Sequence, residues 1–98
     1  MRLERNDFQR IHDRALSALP AILNRFLPGG KTIGHEYLAL NPHRPDNNLG
    51  SFKINLITGK WADFALGICG GDVPSLVAYI LSITQTDAAK ILFRMLGV

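Results

Sequence analysis

Residues 51–72, SFKINLITGKWADFALGICGGD, carry the reading of the fold. In the first half Phe52, Ile54 and Leu56 alternate with Ser51, Lys53 and Asn55, the period of a strand with one buried face. Thr58-Gly59 supplies a two-residue hairpin connection, and KWADFA, from Lys60, returns as the partner strand. The stretch closes on Gly70-Gly71-Asp72. Asp72 is placed to cap a helix beginning at Val73, with Pro74 tolerated in its first turn.

Beyond this stretch, Leu76, Val77, Ile80 and Leu81 are expected to form the buried stripe of that helix. Thr84, with Asp87 three residues on, starts a second helix whose inner face is Ala88, Ile91, Leu92 and Met95 and which stops at Gly97. On the N-terminal side EYLAL, from Glu36 to Leu40, suits a third short strand, and Asn41 to Gly50 is a polar loop. Residues 7–27 follow helical spacing through Phe8, Ile11, Ala15, Leu16, Leu19, Ile22, Leu23, Phe26 and Leu27, capped by Asn6 or Asp7. Pro20 predicts a kink or a division into two helices, and Pro28-Gly29-Gly30 is a stop. The expectation is an α+β fold: an N-terminal helical segment (1–30), a three-stranded antiparallel sheet and a C-terminal helix hairpin, in one domain spanning 1–98. That N-terminal stripe is wide for so small a sheet, so it is expected to pack across it or to offer an interface to another domain.

Composition narrows the functional classes. The chain has 98 residues, 47% apolar and 19% charged, and no apolar run approaches the roughly 20 residues that span a bilayer. MRLERNDF lacks the regions of a secretion signal, and the single Cys69 cannot form an internal disulfide, so a cytoplasmic location is expected. Eleven Lys and Arg against eight Asp and Glu give +3, compatible with nucleic acid as a partner. The basic residues are scattered, so any binding face must be assembled by folding. Arg5, Arg10, Arg14 and Arg25 could add to it from the N-terminal helices.

The order of features from Asn41 to Asp72 resembles the zinc-ribbon domain of bacterial and phage DNA primases and of mobile-element primase-helicase proteins. That family reads C-P-x-H, a polar loop ending in Ser-Phe, an alternating strand, a glycine turn, then C-F-x-C, Gly-Gly-Asp and a helix. Asn41-Pro42 stands here for the first Cys-Pro, Ser51-Phe52 for Ser-Phe, Trp61-Ala62-Asp63-Phe64 for the segment with Cys-Phe, and Gly70-Gly71-Asp72 for Gly-Gly-Asp. The likeness covers residues 35–97. Some mobile-element relatives share the W-x-D-F-A run.

The ligand positions depart from the family: they hold Asn41, Arg44 (or His43, one residue away), Asp63 and Leu66. Zinc takes thiolate or imidazole ligands at about 2.0–2.3 Å, and Leu66 has no lone pair. The resemblance therefore implies a metal-free form of the ribbon, with no cofactor. An irregular site from His35, His43, Asp63 and Cys69 is the weaker alternative, because these donors lack close-pair spacing. In place of metal, Trp61 and Phe64 are expected to bury surface across the sheet end, and an Asp63–Arg44 ion pair is a sharper candidate.

By resemblance, the chain is expected to serve as a nucleic-acid-binding accessory domain of a primase or primase-helicase, contacting single-stranded template during replication of a phage or mobile element. The residues expected to bind are Arg44, Lys53, Asn55, Lys60 and Trp61, joining phosphate neutralisation to base stacking. Three of them have a plainer reading: Lys53 and Lys60 as solvated strand residues, Trp61 as core. The alternative function is a protein-interaction module that docks a primase or helicase partner without touching DNA. Catalysis is not expected. Cys69 has no neighbouring base, His12 reads as a surface residue, His35 and His43 sit in loops, and Gly70-Gly71-Asp72 reads as a cap rather than a phosphate loop.

Overall fold

The computed structural model describes residues 2–43, 45 and 49–97. Two helices open the chain, α1 (Arg5–Ser17) and α2 (Leu19–Phe26); five strands follow, β1 (Lys31–Ile33), β2 (Glu36–Ala39), β3 (Phe52–Asn55), β4 (Trp61–Asp63) and β5 (Ile68–Gly70); α3 (Val73–Leu81) and α4 (Gln85–Leu96) close it. The class is α+β, as expected, but the sheet is a five-stranded antiparallel meander in the order β1-β2-β3-β4-β5, not three-stranded. The two added strands are three-residue edges. β1 is joined to β2 through Gly34-His35, with Gly34 at φ 60°, the glycine-first hairpin turn. β5 follows the turn 64–67, which ends in Gly67 at φ 69°, and occupies the place expected for a glycine-rich loop.

Register divides the sheet into two faces. Tyr37, Ile54, Trp61 and Gly70 stand in one row across the strands, and Ala39, Phe52, Asp63 and Ile68 in the next, all on the inner side. These rows share one buried core with Ile11 and Ala15 of α1, Leu19, Ile22 and Leu23 of α2, Val73, Leu76 and Val77 of α3, and Ala88, Ala89 and Leu92 of α4. The broad N-terminal stripe is thus consumed by the core, since α1 packs against both α3 and α4. Pro20 lies in the first turn of α2, where its missing N–H costs no helical bond, which explains why the segment is two helices.

The helix ends follow their residue chemistry. Asp72 Oδ1 accepts from the Ser75 N–H (2.8 Å), Thr84 Oγ1 accepts from the Asp87 N–H (3.1 Å), and Gly97 ends α4 in the left-handed region. At α1 the cap is Glu4 rather than Asn6 or Asp7; Asp7 instead stands at the third helical position and accepts from the Glu4 N–H (2.9 Å). The β3–β4 connection has five residues, Leu56 to Lys60, not two, and the Asn55 N–H donates to the Lys60 carbonyl (2.8 Å) at its base. Asn55 Oδ1 closes this loop by accepting from Ile57 N–H (2.8 Å) and Thr58 N–H (3.0 Å).

Two glycines permit close approach to aromatic rings. A Cβ on Gly70 would fall 2.4 Å from the Trp61 indole nitrogen, and one on Gly30 would fall 2.3 Å from the Tyr37 ring. Tyr37 uses that space to donate to the Leu27 carbonyl (2.6 Å) and accept from the Gly30 N–H (3.1 Å), tying the end of α2 to β2. Among the described residues, no single helix is long and apolar enough to cross a membrane.

Candidate nucleic-acid interface

The opposite side of the sheet carries no helix among the described residues. Lys31, Leu38, Lys53, Ala62 and Cys69 stand in one row across all five strands, and Ile33, Glu36 and Asn55 in the next. Lys53, Asn55 and Lys60 come together here, lining with Glu36, Ala62 and Phe64 a shallow groove of about 180 Å³. Neither Lys53 nor Lys60 is ion-paired among the described residues; the two ion pairs there, Arg2–Glu4 and Arg10–Asp7, are at the start of α1. Asn55 has its carbonyl oxygen committed to the turn, which leaves its NH₂ as the group it can offer. Arg5, Arg10, Arg14 and Arg25 are exposed on the helical layer and do not join the lysine face.

Of the two aromatic residues expected to bury surface at the sheet end, Trp61 does and Phe64 does not. Trp61 also borders the groove, yet only 6% of it is exposed: its indole stacks on Tyr79 (centroids 5.1 Å apart), meets Phe52 edge-on and donates to Ser75 Oγ (2.9 Å). It is a core residue and presents no ring face to a base. Phe64, expected to be buried, is 70% exposed, with the Lys53 ammonium 5.8 Å from its ring centre. Phe64 is thereby a candidate site residue that the sequence did not single out. The strand period held the signal, because Trp61 and Asp63 point inward and the next odd step outward is Phe64. Arg44 lies outside the described residues.

At the family's ligand positions, two polar residues are buried: Asn41 (2% exposed) and Asp63 (fully buried). Asn41 Nδ2 donates to Asp63 Oδ2 (2.7 Å) and to the Tyr79 hydroxyl (2.7 Å), while Asn41 Oδ1 accepts from the His43 N–H (2.8 Å). Asp63 Oδ1 accepts from the Ala65 N–H (2.9 Å) and the Leu66 N–H (3.2 Å). Leu66 itself is 49% exposed. This donor set does not fit zinc: an amide already committed to hydrogen bonds, one carboxylate and a hydrocarbon. Nor do His35, His43, Asp63 and Cys69 converge. Cys69 is on the outer face and Asp63 on the inner, His43 Nε2 donates to the Tyr79 carbonyl (2.6 Å), and no group of three His, Cys, Asp or Glu gathers among the described residues.

His12 corrects a further expectation. It is half-buried, and its Nδ1 accepts from the Val73 N–H (3.1 Å), so it docks α1 on the start of α3. With Val73 N–H held by His12, Ser75 N–H by the Asp72 side chain and Leu76 N–H by the Asp72 carbonyl (3.2 Å), that helix start is occupied by the protein's own acceptors.

The layout of this sheet and its helices is found in a known class. The chain is similar in structure to the zinc-binding domain in the crystal structure of the Aquifex aeolicus primase (zinc-binding and RNA polymerase domains), with a TM-score of 0.70. The match has 22% identity, covers 93% of this chain and spans 21% of that one. The fold is therefore a primase zinc-ribbon-like fold. No protein-family model matches the chain, and no curated protein matches it.

Proposed function

We propose that the chain is a non-catalytic, metal-free accessory module of a primase or primase-helicase, and that its outer sheet face binds single-stranded DNA. The observation that carries this reading is Phe64, 70% exposed beside Lys53 on a face no described helix covers. An exposed ring flanked by unpaired ammonium groups offers what an unpaired nucleotide needs, a surface for the base and cations for its phosphate. A duplex hides its base faces and gains only the phosphate contacts. The setting is replication of a phage or mobile element, in the cytoplasm, with the polymerising or unwinding chemistry in another domain.

Fluorescence anisotropy of dye-labelled single-stranded and duplex oligonucleotides at low and moderate salt tests this. The single strand is expected to bind more tightly than the duplex, and its affinity to fall steeply with salt. A second reading, docking of a primase or helicase partner through this face, draws on the exposed apolar residues Ile33 (54%) and Leu66 (49%). It predicts no oligonucleotide binding at any salt and partner binding that persists in high salt.

A further inference from the structure

We propose that Asn41, Asp63 and Tyr79 form a hydrogen-bonded clasp that does the mechanical work of a metal ion in this fold. The inference rests on the metal-free reading above and specifies what takes the metal's place. A ribbon ion joins the loop leaving one strand to the turn leaving another, and the clasp joins the same two places. Asn41 lies just beyond the end of β2, Asp63 ends β4, and their side chains bond across a sequence separation of 22.

Each partner is placed to satisfy the other. Both hydrogens of the Asn41 amide are used, one on Asp63 and one on Tyr79, and its oxygen takes the His43 N–H. Asp63 spends one oxygen on Asn41 and the other on two backbone N–H groups of the 64–67 turn, the turn that carries Phe64 outward. Tyr79 brings α3 into the junction and stacks on Trp61, so helix, sheet and turn meet at one point. A carboxyl group this deeply buried is tolerable only when its oxygens are met in this way. The donor and acceptor roles are also directional: Asn41 gives and Asp63 receives. Exchanging the two residues preserves these pairings, since an aspartate at position 41 could accept from Tyr79, from His43 N–H and from an asparagine amide at position 63.

The experiment measures metal content and thermal unfolding of the full chain, with and without a strong zinc chelator, for the parent, Asn41→Asp, Asp63→Asn and the exchange variant carrying both. The expected result is substoichiometric zinc and a midpoint indifferent to chelator. Asn41→Asp, which sets two carboxyl groups against each other, is expected to lower the midpoint by roughly 10 °C or more. Asp63→Asn lowers it less, and the exchange variant recovers most of what Asn41→Asp loses. Should Asn41→Asp fail to fold, recovery of a cooperative transition in the exchange variant carries the same meaning. Stoichiometric zinc with chelator-induced unfolding would overturn the metal-free reading itself. Absence of zinc, with an exchange variant no more stable than Asn41→Asp, would leave that reading standing and overturn the clasp.

Discussion

Trp61 and Phe64 lie three residues apart, one 6% exposed and the other 70%, and they mark the two faces of the sheet, one buried and one open. On the inner face Trp61 is held by Tyr79, Phe52 and Ser75, and Asp63 by Asn41. Two steps outward along the same backbone, Ala62 and Phe64 line the groove with Lys53 and Lys60. On the proposed function, the alternation of a strand keeps stability and recognition on opposite sides of one sheet, and substitutions should separate the two with little crosstalk.

The largest effect is expected on the inner face. Trp61→Ala removes the indole, its stack on Tyr79 and its hydrogen bond, at a cost of about 3–5 kcal/mol. In a chain this small that consumes much of the folding free energy, so urea denaturation should show a collapsed midpoint. Gly70→Ala attacks the same packing from the neighbouring strand, because its Cβ would fall 2.4 Å from the indole nitrogen. The expected loss is about 1–3 kcal/mol, checked by the same denaturation, with a blue- or red-shifted Trp61 emission reporting the displaced ring.

Crossing to the outer face should reverse the pattern. Phe64→Ala is expected to change stability by no more than about 0.5 kcal/mol. Its affinity for a single-stranded oligonucleotide should nevertheless fall by about 1–3 kcal/mol, roughly five- to 150-fold, in an anisotropy titration. The smallest effects belong to the lysines. Lys53→Ala and Lys60→Ala should each reduce the slope of log affinity against log salt by about 0.7, the expectation for one lost phosphate contact on a single strand. A substitution that weakened folding and binding together, at Phe64 or at a lysine, would break the division between the faces.

Much of this architecture is written in local pattern. The Phe52–Ile54 alternation, the Asp72 and Thr84 caps, and the interruption at Pro20 each follow from one residue's chemistry and its immediate neighbours. What the sequence hides is relational. β1 and β5 are three-residue edges, defined by pairing rather than by any pattern of their own. Asp63 reads as a polar strand residue until Asn41 and Tyr79 arrive from distant positions to meet it. His12 likewise looks like a surface histidine until α3 presents the Val73 N–H to it. Of the expected binding residues, Lys53, Asn55 and Lys60 share the groove because strand parity places them together, whereas the tryptophan's bulk outweighs its stacking chemistry and draws it inward.

The most direct test of the central claim is a titration of the isotope-labelled chain with a short single-stranded oligonucleotide, following backbone amides and the Trp61 indole at low and moderate salt. The account predicts shifts concentrated at Lys53, Lys60, Ala62 and Phe64, fading as salt rises, with the Trp61 indole nearly still. Silence of those amides at low salt, or shifts centred on the helical layer instead, would contradict it.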